Sequence, residues 1–281
     1  MKKKQSSIGT WLVSGVVVIV AIAVAVVIWR KATQAGGEPT PVATSTMPGS
    51  AGTGPAAAST AIQHPIAQAG PAPATTAPLP ALDASDTDVA SALLSLGGHS
   101  LDGLLQRDQI VRRVVATVDA LPRQSVGTNI LPLKTPKGAF LVEQANGAVT
   151  LSPRNAERYA PYMQVLEGAD PKALVAWYVA HYPLFQQAYR DLGYPKGYFN
   201  DRLVVAIDDM LAAPVPDAPL TLVQPKVFYR YADPGLEARS AGQKLLMRLG
   251  ADDEAKVKAK LRQIRDLLTG ATLPAGTASA R

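Results

Sequence analysis

Residues 11–29 read WLVSGVVVIVAIAVAVVIW, a run without a charged side chain. As an α-helix at about 1.5 Å per residue it is about 28 Å long, which matches the hydrocarbon thickness of a bilayer. A spanning backbone must satisfy its own hydrogen bonds, so whatever follows has to fold as a separate body. Trp11 and Trp29 bracket the run, at the depth where indole rings favour the headgroup zone. A cleaved leader fits less well, because Trp29-Arg30-Lys31 stands where small residues would mark a cleavage site. Lys2, Lys3 and Lys4 precede the run, against Arg30 and Lys31 behind it, a bias toward a cytoplasmic N-terminus. The expected arrangement is a cytoplasmic tail over 1–10, one transmembrane helix over 11–29 seated in the inner membrane, and the bulk of the chain in a bacterial periplasm.

Residues 30–80 read as a flexible linker. From 36 to 80 the only charged residue is Glu38, and Ala, Pro, Thr, Ser and Gly dominate. Such a stretch buries too little to offset its ordering entropy, and its prolines favour extended backbone. A single globular domain over 81–270 is expected to follow, with a disordered tail over 271–281. The net charge is +6, but three of those charges are the N-terminal lysines and no basic block occurs elsewhere, so nucleic-acid binding is not indicated. The absence of cysteine excludes disulfides, thiolate metal sites and a cysteine nucleophile.

Within 81–270 the pattern predicts a mostly α domain with a small antiparallel β element, an α+β fold. Ser85 or Asp86 starts a helix stopped by Gly97-Gly98, and Asp108 is the N-cap candidate for a helix carrying Val111, Val114, Val115 and Val118 on one face. FLVEQANGAVTLS alternates around Asn146-Gly147, the signature of a two-residue hairpin. Ser152-Pro153 and Asp170-Pro171 each open a helix, and Pro183 is expected to break the second one. Gly193, Pro195 and Gly197 punctuate a turn before a helix capped by Asn200 or Asp201. Residues 220–231 read as extended, with Pro225 at an edge or in an irregular segment. DPGLEARSAGQKLLMRLG and ADDEAKVKAKLRQIRDLLTG read as the closing helices.

Signals for chemistry are sparse. His99 and His181 have no partner at metal-binding spacing, no nucleophile elbow occurs, and no glycine-rich phosphate loop is present. No cofactor, metal or catalytic residue is assigned. Ser240 and Lys244 lie four apart, but the helical wheel groups Lys244 with Arg248 on a solvated face and leaves Ser240 and Gln243 as core polar groups. The aromatic stretch GYFNDR stands out. Its aromatics either plug the core or line a groove in which Tyr198, Asn200, Asp201 and Arg202 face Gln224, Lys226 and Tyr229, with Gln243 nearby. Two functions fit: a binding domain for an envelope partner, protein or cell-wall polymer, or an envelope hydrolase that pairs Asp201 with Asp208 or Asp209. A general acid must be shielded from water, which a helix-capping Asp201 is not, so the binding domain is favoured.

GYPKGYFNDRLVVAIDDMLAAP and LVQPKVFYRYADPGLEARSAGQKLLMRLG, with LPALDASD, VVATVDALPR and LSPRNAERYAPY before them, resemble a bacterial family of domains of unknown function (number three thousand and fourteen). The resemblance covers about residues 79–269 and implies the same build of N-terminal anchor, Pro/Ala-rich spacer and C-terminal domain. It implies no activity and transfers no catalytic residue.

Overall fold

Several elements begin where a side chain satisfies free N–H groups of the first turn. Asp170 accepts from the Lys172 amide at 2.9 Å with Pro171 in the first helical position, and Ser152 does the same for Arg154 ahead of a 3-10 turn, Pro153–Tyr159. The first helix, α1, covers Asp86–Gly97 and ends at Gly98, whose φ of 68° suits glycine. A single turn, α2, follows at His99–Asp102, and α3 covers Ile110–Ala120. Asp108 does not cap α3. It pairs with Arg113, and Gln109 takes the cap position with a left-handed φ of 52°. The Gln109 and Ile110 amides donate instead to the Asp86 carboxylate of α1, at 2.6 and 2.8 Å. The cap is tertiary, which local spacing could not reveal.

The computed structural model describes residues 61–70, 78–145, 147–217, 219–225 and 228–270. The expected span 11–29 lies outside them. Among the described residues no helix is long and apolar enough to cross a membrane.

After the hairpin come α4, Ala160–Gly168, and α5, Pro171–Asp191. The expected break at Pro183 does not occur. Proline removes one intrahelical hydrogen bond and costs about 3 kcal/mol in a helix interior. Tyr178 and Tyr182 before it, and Leu184, Phe185 and Ala188 after it, are all buried in one core. Keeping the two halves in one helix is what buries both sets, while Pro183 itself faces solvent. Then follow α6, Phe199–Leu211, the short α7, Pro234–Glu237, α8, Ala241–Leu249, and α9, Ala251–Thr269. Helix α3 packs on α5 and α6, and α9 packs on α5, α6 and α8. The four valines expected on one face of α3 are all buried there. Gly242 lets α8 approach α6, since a Cβ there would stand 2.8 Å from Met210 Cγ.

A four-stranded antiparallel sheet of order β1-β2-β3-β4 completes the fold. Strands β1, Val142–Ala145, and β2, Ala148–Leu151, pair Ala145 with Ala148, the register of the expected two-residue turn; Asn146 lies outside the described residues. The stretch expected to be extended is two short strands, β3, Thr221–Val223, and β4, Arg230–Tyr231, with Pro225 in their connection. Leu220, Leu222, Tyr231 and Met247 form a second small core under the sheet. Because Leu245, Leu246 and Leu249 face the main core, α8 joins the sheet to the helices.

Candidate functional site

The loop into α6 is shaped by Gln186 of α5. Its Nε2 donates to the Gly197 carbonyl at 2.8 Å, and its Oε1 accepts from the Phe199 amide at 2.9 Å and from the Tyr182 hydroxyl at 2.7 Å. One side chain thus ties off both sides of the turn and starts the helix. Tyr198 holds the N-cap position without capping through its side chain, and neither Asn200 nor Asp201 caps α6, as the spacing had suggested. Gln186 already serves that end, so their side chains are free to point elsewhere. Phe199 plugs the core, almost fully buried beside Phe185 at a ring distance of 5.9 Å.

The three neighbouring side chains bind a peptide, and it is the chain's own. Residues 61–70, which composition assigns to the spacer, lie across the N-terminus of α6. The Asp201 carboxylate accepts from the His64 amide at 2.7 Å and the Gln63 amide at 3.1 Å. Asn200 Nδ2 donates to the His64 carbonyl at 2.9 Å, and the Tyr198 hydroxyl accepts from the Ile66 amide at 2.8 Å. Asn200 is fully buried, and its Oδ1 is held by the Tyr178 hydroxyl at 3.3 Å, which fixes the amide for its task. Burial pushes the Tyr178 hydroxyl well above the usual range, so it remains a donor. Pro65 has φ −58° and ψ 133°, an extended backbone that proline favours and that needs no N–H partner. The far end reaches α9, where the Gly70 amide donates to the Leu267 carbonyl at 3.3 Å and Ala69 is buried. A Cβ on Gly270 would stand 2.9 Å from the Gln68 carbonyl oxygen, so glycine is what lets the segment lie so close. Beside it a cleft of about 240 Å³ opens between Ile62, Tyr189, Lys196 and Val205.

Of the other predicted groove residues, Arg202 also lines this cleft and the rest lie elsewhere. Arg202 turns to α3, where its Nε donates to Asp119 Oδ1 at 2.9 Å; Asp119 also takes Arg123 and the Tyr194 hydroxyl. Gln224 is exposed just after β3, Tyr229 packs on Phe140 under the sheet at 5.8 Å, and Lys226 lies outside the described residues. Gln243 is buried on α8 and donates to the Asp209 carbonyl oxygen at 2.9 Å and to its Oδ1 at 3.1 Å. The second wall of the site is therefore the segment 61–70 and the end of α9. That segment holds only two large apolar residues, Ile62 and Ile66, so no sequence signal set it apart from the spacer.

The carboxylates of α6 have separate partners. Asp201 holds the segment, Asp208 pairs with Arg265, and Asp209 accepts from the Ser240 hydroxyl at 2.6 Å. Burial raises the Asp209 carboxyl above its usual value, against the hydrogen bonds from Ser240 and Gln243 and the charge of Arg202. Ser240 is the N-cap of α8, accepting from the Gln243 amide at 3.1 Å, and not a residue of a helix interior. Lys244, expected on a solvated face, is buried; its Nζ donates to the Glu237 carbonyl at 3.0 Å and burial lowers its proton affinity. The Ser240 proton is directed to Asp209, so Ser240 and Lys244 do not form a nucleophile–base pair. Among the described residues no three His, Asp or Glu side chains group as metal ligands.

Residues 110–265 match the family described as "Protein of unknown function (DUF3014)", and the chain belongs to that family. The matched region includes α3 to α6 and most of α9, hence Tyr198, Asn200 and Asp201, but not residues 61–70. No curated protein and no solved structure matches the chain.

Proposed function

We propose that this family member is a single-pass inner-membrane protein, anchored by residues 11–29 with its N-terminus cytoplasmic, whose periplasmic helical domain binds a polypeptide segment of an envelope partner. One observation carries the reading: Tyr198, Asn200 and Asp201 together engage four backbone polar groups within residues 63–66. Side chains that grip backbone amides and carbonyls are a peptide-binding arrangement, since they accept many sequences of one conformation, here a bent stretch that passes through Pro65 into a 3-10 turn, Ile66–Gln68. The rest of the groove supports this, with a buried donor held rigid by Tyr178 and an open cleft alongside. The apolar run and the charge bias around it support the location.

Photo-crosslinking in living cells tests the proposal. Val205 is 49% exposed and lines the cleft, so a photoreactive residue there reaches a bound partner without replacing a groove contact. The expected product is an adduct with an envelope polypeptide, mapped by mass spectrometry to one short segment of it. Adducts confined to the chain itself or to lipid would refute the reading.

A further inference from the structure

Resting on the peptide-binding reading above, we infer that residues 61–70 are a resident pseudo-ligand: they fill the groove in cis in place of a partner's proline-containing segment that turns into a 3-10 helix after the proline, and must leave before that segment binds.

The contacts define the ligand class. The groove asks for backbone N–H groups at the positions of Gln63, His64 and Ile66, and for a carbonyl at that of His64. It asks for nothing from the N–H of position 65, where proline sits at φ −58° and ψ 133°. Proline there also biases the residue before it toward extended backbone, which lowers the entropy lost on docking. Further along, position 66 is apolar and packs on the core, and position 69 is small and buried. The class is therefore two residues with free N–H groups, then proline, then an apolar residue, with a small residue three positions later.

The balance of forces makes the segment exchangeable. Its apolar anchorage is limited to the half-buried Pro65 and Ile66 and one alanine, whereas the body has its own core of α1, α3, α5, α6 and α9. Docking thus relies on directional hydrogen bonds, which a second peptide reproduces atom for atom. Departure into water leaves the buried Nδ2 of Asn200 and the two Asp201 acceptors to be satisfied afresh, so exchange for another peptide is favoured over an empty groove. Release also hands residues 61–77 to the membrane leash, at most about 60 Å of added contour. Partner binding and reach would then be coupled.

The probe is a labelled synthetic peptide, AIQHPIAQAG, titrated into the full chain in detergent and followed by fluorescence anisotropy. In the variant Gln63→Pro/Ile66→Pro two donors of the resident segment are gone and the groove is untouched. Because a cis ligand competes at an effective concentration on the order of millimolar, the variant is expected to bind the peptide at least about tenfold tighter than the unmodified chain. Equal affinity would overturn the inference while leaving the peptide-binding reading standing. A folded variant that binds no peptide would overturn the reading itself. A variant that does not fold would also overturn the inference, since a segment whose release unfolds the body is framework. On the unmodified chain, millimolar peptide is expected to accelerate proteolysis within 61–70; an unchanged rate counts against exchange.

Discussion

Replacing Asp201 by alanine tests whether the resident segment is held as a unit. The carboxylate accepts two amides, from His64 at 2.7 Å in a partly buried setting and from Gln63 at 3.1 Å at an exposed end. A hydrogen bond to a charged group contributes about 1.5–3 kcal/mol when shielded, and well under 1 kcal/mol when water competes freely. The His64 bond at the low end of that range, with a small share for Gln63, gives about 2 kcal/mol, or about 30-fold in the opening equilibrium. The reporter is the Ile66 amide, which donates to Tyr198 and loses no partner in the variant. Its hydrogen exchange should accelerate about 30-fold only if the segment opens cooperatively. Asp201 also sits in the first turn of α6, where an acid favours the helix by about 0.3–1 kcal/mol, so the Ile207 amide in the middle of α6 should accelerate at most about fivefold. An unchanged Ile66 rate would show that Asp201 does not hold the segment. Equal acceleration at Ile66 and Ile207 would show that segment and helix open only together, and would remove the physical basis for exchange.

Three further outcomes follow from the same geometry. Gln186→Leu should strand the Phe199 amide and the Gly197 carbonyl at the mouth of the groove and cost about 2–4 kcal/mol in urea unfolding; a cost below about 0.5 kcal/mol would mean that water replaces both bonds. Lys258→Met should cost about 3–5 kcal/mol, because the fully buried Glu254, whose Oε1 lies 2.6 Å from Lys258 Nζ, loses its counter-ion; the double variant with Glu254→Gln should recover most of that loss, and no recovery would place the cost in packing. Asp209→Asn should flatten the pH dependence of stability. The folded carboxyl binds its proton more tightly than the unfolded one, so its contribution is full below the ordinary value of 3.8 and is lost as pH rises through the elevated folded value. Chemical denaturation from pH 3 upward reads this, and an unaltered slope in the variant would refute the assignment to Asp209.

Features set by neighbours in sequence were legible. Asp170-Pro171, Asn146-Gly147 and the valine face of α3 announced their elements because the deciding contacts lie within a few residues. What could not be read depends on distant partners. The cap of α3 comes from Asp86, and the persistence of α5 through Pro183 comes from a core to which both halves contribute. Lys244 looked solvated because the wheel assumed one continuous helix, whereas Ser240 starts a new one and turns the lysine toward Glu237. Asp201 shows the limit most directly: spacing offered it as a local cap, and its partner amide is 137 positions away.

The choice between scaffold and groove at GYFNDR has a single structural origin. An α-helix turns its side chains by about 100° per residue, so the residues of its first turn are spread over different surroundings. Phe199 falls inward and plugs the core, Arg202 reaches Asp119 on α3, and Tyr198, Asn200 and Asp201 point at residues 63–66. Scaffold and site are therefore successive positions of one helix turn. The rigidity that the site needs to hold a peptide is supplied by the same turn, through Phe199 in the core and Gln186 across the loop. Loosening the plug should accordingly loosen the grip, since the Phe199 ring packs 5.6 Å from that of Tyr189, which lines the cleft.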